Sequence, residues 1–251
     1  MGKIILWILA VLLGLCLLYI LFLAVCALMV DPKKEYEHDS PFYRRLLYGA
    51  TACCIRLLHI HIHVEGMEKL PKDGRFLLVS NHRSNFDPIL TWQVMKDRNL
   101  AFVSKAENFG IPIFGRIIRR CCFLAIDREN PRNALMTIEK AAKLIESDEV
   151  SVGIYPEGTR SKTGELLPFR NGAFQIAKRA GAPIVIAKTT GTEQIARRFA
   201  RRRTIVRFDI LDALSADTAA KMTTREIGEY ARAQMLQSEP ATSTKKEAIT
   251  V

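Results

Sequence analysis

The stretch "FLLVSNHRSNFDP", residues 76–88, decides how the rest of the chain is read. Phe76-Leu77-Leu78-Val79-Ser80 is a short, nearly continuous apolar run, the pattern of a strand buried on both faces. A polar loop follows, and then Asp87-Pro88, an acidic residue suited to a helix cap ahead of a proline suited to the first helical turn. Strand, loop and helix start in immediate succession are the repeating unit of an α/β sheet.

Working outward, the same alternation recurs. Apolar runs with strand character occupy 59–65, 75–80, 100–104, 122–126, 150–155, 183–188 and 204–211, and helical stretches fill 87–97, 107–119, 131–147 and 172–181. A last helix is expected over 215–236, followed by a polar end, "SEPATSTKKEAITV", expected to fray. The fold class is therefore α/β, with a mixed, largely parallel sheet covered by helices.

Ahead of this lies a different kind of segment. From Ile4 to Val30 no residue is charged, a run of 27 positions, which as a helix measures about 40 Å at roughly 1.5 Å per residue. That exceeds the roughly 30 Å of a bilayer core and the length of a signal-peptide apolar region, so a retained N-terminal transmembrane helix is expected. Lys3 precedes the run, and Lys33, Lys34, Arg44 and Arg45 follow it, so residues 31 onward are expected on the cytoplasmic side. Residues 42–58 are apolar with Arg44, Arg45 and Arg56 interleaved. They read either as an interfacial helix that keeps its arginines at the headgroups or as a helix packed on the domain. The expected organisation is an anchor at 1–31, an interfacial helical segment at 32–60, a catalytic domain at 61–236 and a flexible tail at 237–251.

The net charge of +11, from 37 basic and 26 acidic residues, lies almost entirely after the apolar run. A tethered basic protein points to an anionic membrane surface rather than to nucleic acid, for which no recognition motif is present. The 6 cysteines show neither a disulfide framework nor metal spacing and read as buried reduced thiols.

The chemistry gathers after strands. His82 follows one, and Asp87 five residues on is placed to hold one ring nitrogen and leave the other free as a base, although Asp87 alone reads equally as a helix cap. "EGTRS", Glu157 to Ser161, follows another, with a glycine for close backbone approach and hydroxyl and cationic donors suited to a phosphate or carboxylate; a surface pairing of Arg160 with Glu157 is the plainer alternative. Lys105 and Arg128 follow two more. In a parallel sheet, ligands collect at the carboxyl ends of strands, so His82, Lys105, Arg128 and Arg160 are expected along one edge. One base and three cations suit activation of a hydroxyl on a phosphorylated molecule.

With these blocks in order, the sequence resembles the glycerolipid acyltransferase family, of which the 1-acylglycerol-3-phosphate acyltransferases are the type. The resemblance spans roughly residues 40–212 by motif order and spacing. It rests on H-x4-D at His82 and Asp87, a block ending in Ile126-Asp127-Arg128, E-G-T-R-S at 157–161, the apolar "APIVIA" around Pro183 and a lysine, Lys105, before "PIFG". One block departs: Cys122 and Ala125 stand where the family often has Gly and Phe, which leaves the chain-length or headgroup preference more open than the reaction.

The resemblance implies acyl transfer from acyl-CoA or acyl carrier protein to the free hydroxyl of 1-acylglycerol-3-phosphate, with His82 as general base, Asp87 orienting it, and Lys105, Arg128, Glu157, Gly158, Thr159 and Arg160 binding substrate. Glu157 is left between orienting the arginines and orienting the glycerol. No cofactor or metal is implied. Alternatives are another lysophospholipid or an acylated amino-acid lipid as acceptor, or a non-catalytic membrane-binding module; a hydrolase is disfavoured by the lack of a G-x-S-x-G elbow. Ser84, two residues after the histidine, is not needed as a nucleophile.

Two features tempt toward other functions. His59, His61 and His63 alternate as metal ligands on a strand would, but a strand with one polar and one apolar face has the same pattern. Arg197, Arg198, Arg201, Arg202 and Arg203 form a basic run read as a docking patch for anionic lipid, at about 1 kcal/mol per residue near the surface.

Overall fold

The computed structural model describes residues 2–198, 203–238 and 248–249. Helix α1 covers Gly2–Leu28 and α2 covers Pro41–Leu57. The chain then alternates: β1 (Ile60–Glu65), β2 (Leu77–Ser80), α3 (Asp87–Val94), β3 (Leu100–Lys105), α4 (Phe114–Arg120), β4 (Leu124–Ile126), α5 (Pro131–Glu146) and β5 (Ser151–Ile154). It continues with α6 (Gln175–Ala180), β6 (Ile184–Thr190), α7 (Ile195–Arg198), β7 (Thr204–Leu214), α8 (Ala216–Lys221), α9 (Thr224–Gln237) and β8 (Ala248–Ile249).

The strands form one sheet in the order β4-β3-β5-β2-β6-β7-β1-β8. The first five in that order are mutually parallel. β7 turns antiparallel to β6, β1 runs parallel to β7, and β8 pairs antiparallel with β1. The mixed, largely parallel sheet expected from the apolar runs is thus observed, and the carboxyl ends of β2 to β6 share one edge.

Both faces are covered, as continuous apolar strands require. Phe76 and Leu78 face a core shared with Leu47 and Ile55 of α2, Leu90 and Trp92 of α3, and Ile117 and Ile118 of α4. Leu77 and Val79 face a second core with Ala141 and Leu144 of α5, Ile176 of α6, and Ile227 and Ala231 of α9. A one-residue slip of β2 would exchange the two sets.

Helix α1 is the one helix among the described residues long and apolar enough to cross a membrane. Its last carbonyls, which lack intrahelical partners, accept hydrogen bonds from Tyr43 Oη (to Cys26 O, 2.9 Å) and Arg116 Nη1 (to Ala27 O, 3.4 Å). A cation at a helix C-terminus is the favourable sign. The end of α1 is therefore fastened to α2 and α4, while most of its side chains are exposed.

Several local expectations change. Arg44 does not face outward with Arg45. It is buried, pairs with Asp39 at 2.6 Å, donates to Leu100 O and lies 4.7 Å from the Trp92 ring. So α2 packs on the domain by one face. The helix expected at 107–119 is split. A 3₁₀ turn over Ala106–Gly110 is capped by Ile111, and Ile113 takes φ 64°, ψ −64°, a strained γ-turn closed by Phe114 N donating to Pro112 O at 2.7 Å. The helix expected at 215–236 is two helices, each with its own cap: Ser215 for α8, and a capping box of Thr223 and Glu226 for α9.

The thiols are not all buried. Cys26, Cys121 and Cys122 are, whereas Cys16 and Cys53 are exposed on helices. Burial pushes the Cys122 thiol up to about 12. Of the expected flexible tail, Ala248–Ile249 pairs with β1, and the rest beyond Ser238 lies outside the described residues. So do Arg201 and Arg202 of the basic run.

Candidate active site

The loop after β2 is held from three directions. Asn81 extends the sheet by one pairing: its Nδ2 donates to Thr189 O at 2.9 Å, and its Oδ1 accepts from Thr189 N at 2.7 Å. His82 N donates to Glu157 Oε1 at 2.6 Å, and His82 O accepts from Ser161 N at 2.8 Å. The backbone of His82 is therefore clamped by the Glu157–Ser161 loop that follows the neighbouring strand, β5.

Asp87 then fixes the ring. His82 Nδ1 lies 2.8 Å from Asp87 Oδ2, which also accepts from Arg83 N at 2.6 Å and Ser84 N at 2.7 Å. Asp87 is fully buried in the first turn of α3, where the helix dipole favours a negative charge. Its carboxylate turns back onto the loop and makes no cap bond to its own helix, so the plain helix-cap reading does not hold. An ionised carboxylate only accepts, so the neutral imidazole carries its proton on Nδ1 and keeps a lone pair on Nε2. The ring stacks on Tyr155, centroids 4.4 Å apart at 19°. Ser84 is buried, and its Oγ accepts from Phe86 N as part of the turn.

The cations arrive from parallel neighbours. Lys105 ends β3, Arg128 follows β4 and Arg160 follows β5, so the expected edge is formed. Arg128 donates from Nη1 to Gly158 O, joining the β4 and β5 ends. Its pKa is lowered by burial first and then by the charge of Arg170. Lys105 Nζ stands 4.0 Å from Glu107, and its side chain is half exposed. Arg160 and Thr159 are exposed, and Arg160 forms no ion pair with Glu157 or with any other described residue.

Glu157 is engaged on the loop itself. It is buried, Oε1 accepts from His82 N, and Oε2 accepts from Leu167 N at 2.9 Å. With both oxygens engaged by backbone donors, it holds the loop that carries the histidine. Burial raises its pKa, partly offset by those two bonds. Gly158 sits at φ 70°, and a Cβ there would come within 2.7 Å of Arg170 Nε, so this position needs glycine.

Two residues of the site escaped the sequence reading. Tyr155 closes the apolar run before Pro156, and its position at a strand end was the available signal. Arg170, in "PFRNG", follows no strand and had none. Cys122, where the resembling family often has glycine, takes φ 58°, which a glycine would occupy without strain. Among the described residues, no group of three or more His, Cys, Asp or Glu side chains could hold a metal ion.

A histidine with a fixed tautomer and an open second nitrogen, set on an edge with several cations, can take a proton from a hydroxyl on an anionic molecule. Comparison with known proteins bears on what that molecule is. The sequence profile described as "Acyltransferase" matches residues 61–187. The 1-acyl-sn-glycerol-3-phosphate acyltransferase of Haemophilus influenzae is 30% identical over 220 residues, covering 85% of this chain and 90% of that one. The 1-acyl-sn-glycerol-3-phosphate acyltransferase alpha of Mus musculus is 30% identical over 173 residues, 66% of this chain but 57% of its own length. The chain thus spans little more than half of that mouse relative. The crystal structure of the 1-acyl-sn-glycerophosphate (LPA) acyltransferase PlsC of Thermotoga maritima superposes with a TM-score of 0.61 at 23% identity, covering 80% of this chain and 81% of that one. That likeness shows a shared fold.

Proposed function

The chain belongs to the acyltransferase family, and from that premise we propose that it moves a fatty acyl group from a thioester donor, acyl-CoA or acyl carrier protein, to the free hydroxyl of 1-acylglycerol-3-phosphate, giving phosphatidate. The observation that carries this reading is the 2.8 Å pairing of His82 with the fully buried Asp87 on an edge that also holds Arg128 and Arg160. No cofactor is required, because the donor is a substrate.

In the proposed mechanism, His82 Nε2 takes the proton from the glycerol hydroxyl as its oxygen attacks the thioester carbonyl. Asp87 holds the ring and stabilises the imidazolium. The tetrahedral intermediate collapses, the carbon–sulfur bond breaks, and the imidazolium returns its proton to the leaving thiolate. General-base help of this kind contributes about 10²–10⁴ in rate. Lys105, Arg128 and Arg160 hold the substrate phosphate, the arginines with a planar fork suited to it. Gly158 and Thr159 shape the loop over it, and Glu157 keeps His82 in register.

The proposed setting is a membrane. Helix α1 serves as the anchor at 1–31, residues 32–60 lie at the interface, and residues 61–236 work on the cytoplasmic side, where the lipid acceptor is reached without leaving the bilayer. The basic surface attracts anionic lipid and an acidic carrier protein. The test is to supply detergent-purified protein with lysophosphatidate and each donor and to follow phosphatidate by mass spectrometry. Product with either donor supports the reading. Its absence with both, alongside acylation of a different lysolipid, would move the acceptor.

A further inference from the structure

His82 and Arg83 are neighbours with different destinations. A cavity of about 380 Å³ lies beside the loop, lined by Arg83, Lys188, Arg232, Glu157, Glu165 and Leu236 among others. His82, Lys105, Arg128 and Arg160 do not line it. Three cations meet there, and among the described residues none of them pairs with a carboxylate. Arg83 Nη2 donates to Gly164 O at 2.7 Å, and Arg232 Nη2 donates to Leu166 O at 3.2 Å. Each guanidinium therefore spends one N–H on the same loop and keeps the rest of its donor fork. Lys188 spends its ammonium on Met235 O, Ser238 O and Ser238 Oγ at the end of α9.

The lining acids offset only part of this charge, two carboxylates against three cations. Both oxygens of Glu157 are taken by backbone donors, and Glu165 is exposed on the loop. Burial, and then the charge of Arg83, pulls the Lys188 pKa below its usual value, against the opposing charge of Asp209, its partner on β7. Cations brought together at the cost of mutual repulsion, with donors left over and Leu166, Met235 and Leu236 alongside, are the composition of a site for an anion attached to apolar matter.

We propose that this cavity is a second anion site, which takes a phosphate ester through Arg83 and Arg232 in the field of Lys188. Its phosphate comes either from the thioester donor, whose pantetheine arm carries one, or from an anionic phospholipid of the membrane. Only the choice of source rests on the proposed acyl transfer; the anion site does not.

The first test reads binding without activity. Inorganic pyrophosphate is titrated calorimetrically into the detergent-purified full chain and its variants. Arg232→Gln weakens the binding by about tenfold or more, as expected for loss of a charge-assisted donor pair. Leu236→Glu, at a position 55% exposed and therefore safe for folding, weakens it similarly by placing a carboxylate at the cavity. Arg128→Ala leaves this component in place. Equal pyrophosphate binding by the wild type, Arg232→Gln and Leu236→Glu would overturn the proposal whether or not the protein makes phosphatidate.

The second test finds the source. KM is compared for acyl-CoA and for an acyl thioester of N-acetylcysteamine, which has no phosphate, with and without phosphatidylglycerol in neutral detergent. A KM rise of about fivefold or more in Arg232→Gln that is confined to acyl-CoA assigns the donor. A rise that needs phosphatidylglycerol with either donor assigns the lipid. A fall in kcat that is equal with both donors, with KM unchanged and no recovery in Arg232→Lys, is the signature of a merely structural strap and contradicts the proposal.

Discussion

Two histidine sites in this molecule differ in what surrounds them. His61 and His63 alternate on one face of β1 with the spacing of a ligand set, whereas His82 stands alone after β2. The groups around them tell the two apart. His82 is clamped through both backbone groups, stacked on Tyr155 and held at Nδ1 by a carboxylate that is fully buried. His61 and His63 are only half-buried, and no carboxylate set completes a metal site with them among the described residues. The His61 pKa is lowered, by burial first and then by the charge of Arg203. A catalytic histidine is made by the groups that restrain it, and a local density of imidazoles does not substitute for them.

That contrast can be broken most severely at His82, the proposed base. His82→Ala is expected to cost about 10²–10⁴ in kcat and, by removing one partner of the buried Asp87, about 1–3 kcal/mol of stability, whereas a loss in kcat under tenfold would erase the distinction between the two sites. Asp87→Asn comes next. An amide cannot accept from three donors at one oxygen without presenting its NH₂ elsewhere in a buried site, so kcat is expected to fall by about 10²–10³ through the wrong tautomer. The unpaired loop donors should also lower stability by about 1–3 kcal/mol, read by thermal unfolding.

A milder test concerns the clamp. Glu157→Gln offers one acceptor where two oxygens now serve His82 N and Leu167 N, and kcat is expected to fall by about tenfold, the cost of roughly one net hydrogen bond in the positioning of the base. The same variant has a pH signature. The Glu157 pKa is raised in the folded protein, so the folded state binds the extra proton more readily than the unfolded chain. Its stabilising contribution is full below the ordinary glutamate range and declines as pH rises through the raised value. The melting temperature of the wild type should therefore fall relative to that of Glu157→Gln across that window; parallel curves would contradict it. Smallest of all, His61→Ala and His63→Ala should each leave kcat within about twofold, because neither is restrained for chemistry. A large loss in either would mean that β1 takes part in the reaction.

Much of this is legible in the sequence. Apolar runs ending in His82, Lys105, Arg128 and Glu157–Ser161 gave both the parallel strands and the edge on which the site lies, because strand period and carboxyl-end placement are local and topological rules. What was not legible depends on contacts distant in sequence. The job of Glu157 is visible only once β5 lies beside β2. Arg170 reaches Gly158 from a loop with no strand pattern. The choice between a headgroup arginine and one packed on the domain closes at Arg44 only when Asp39 and Trp92 enclose it. The kink at Ile113 sets tertiary fit against a residue that resists positive φ, so no propensity could announce it.

The most direct measurement is phosphatidate formation, followed by mass spectrometry, by detergent-purified wild type, His82→Ala and His61→Ala given lysophosphatidate and a thioester donor. The expected result is product from the wild type and His61→Ala at closely similar rates, and a rate lower by about two orders of magnitude or more from a folded His82→Ala. Full activity in His82→Ala, or none in the wild type with either donor, would contradict it.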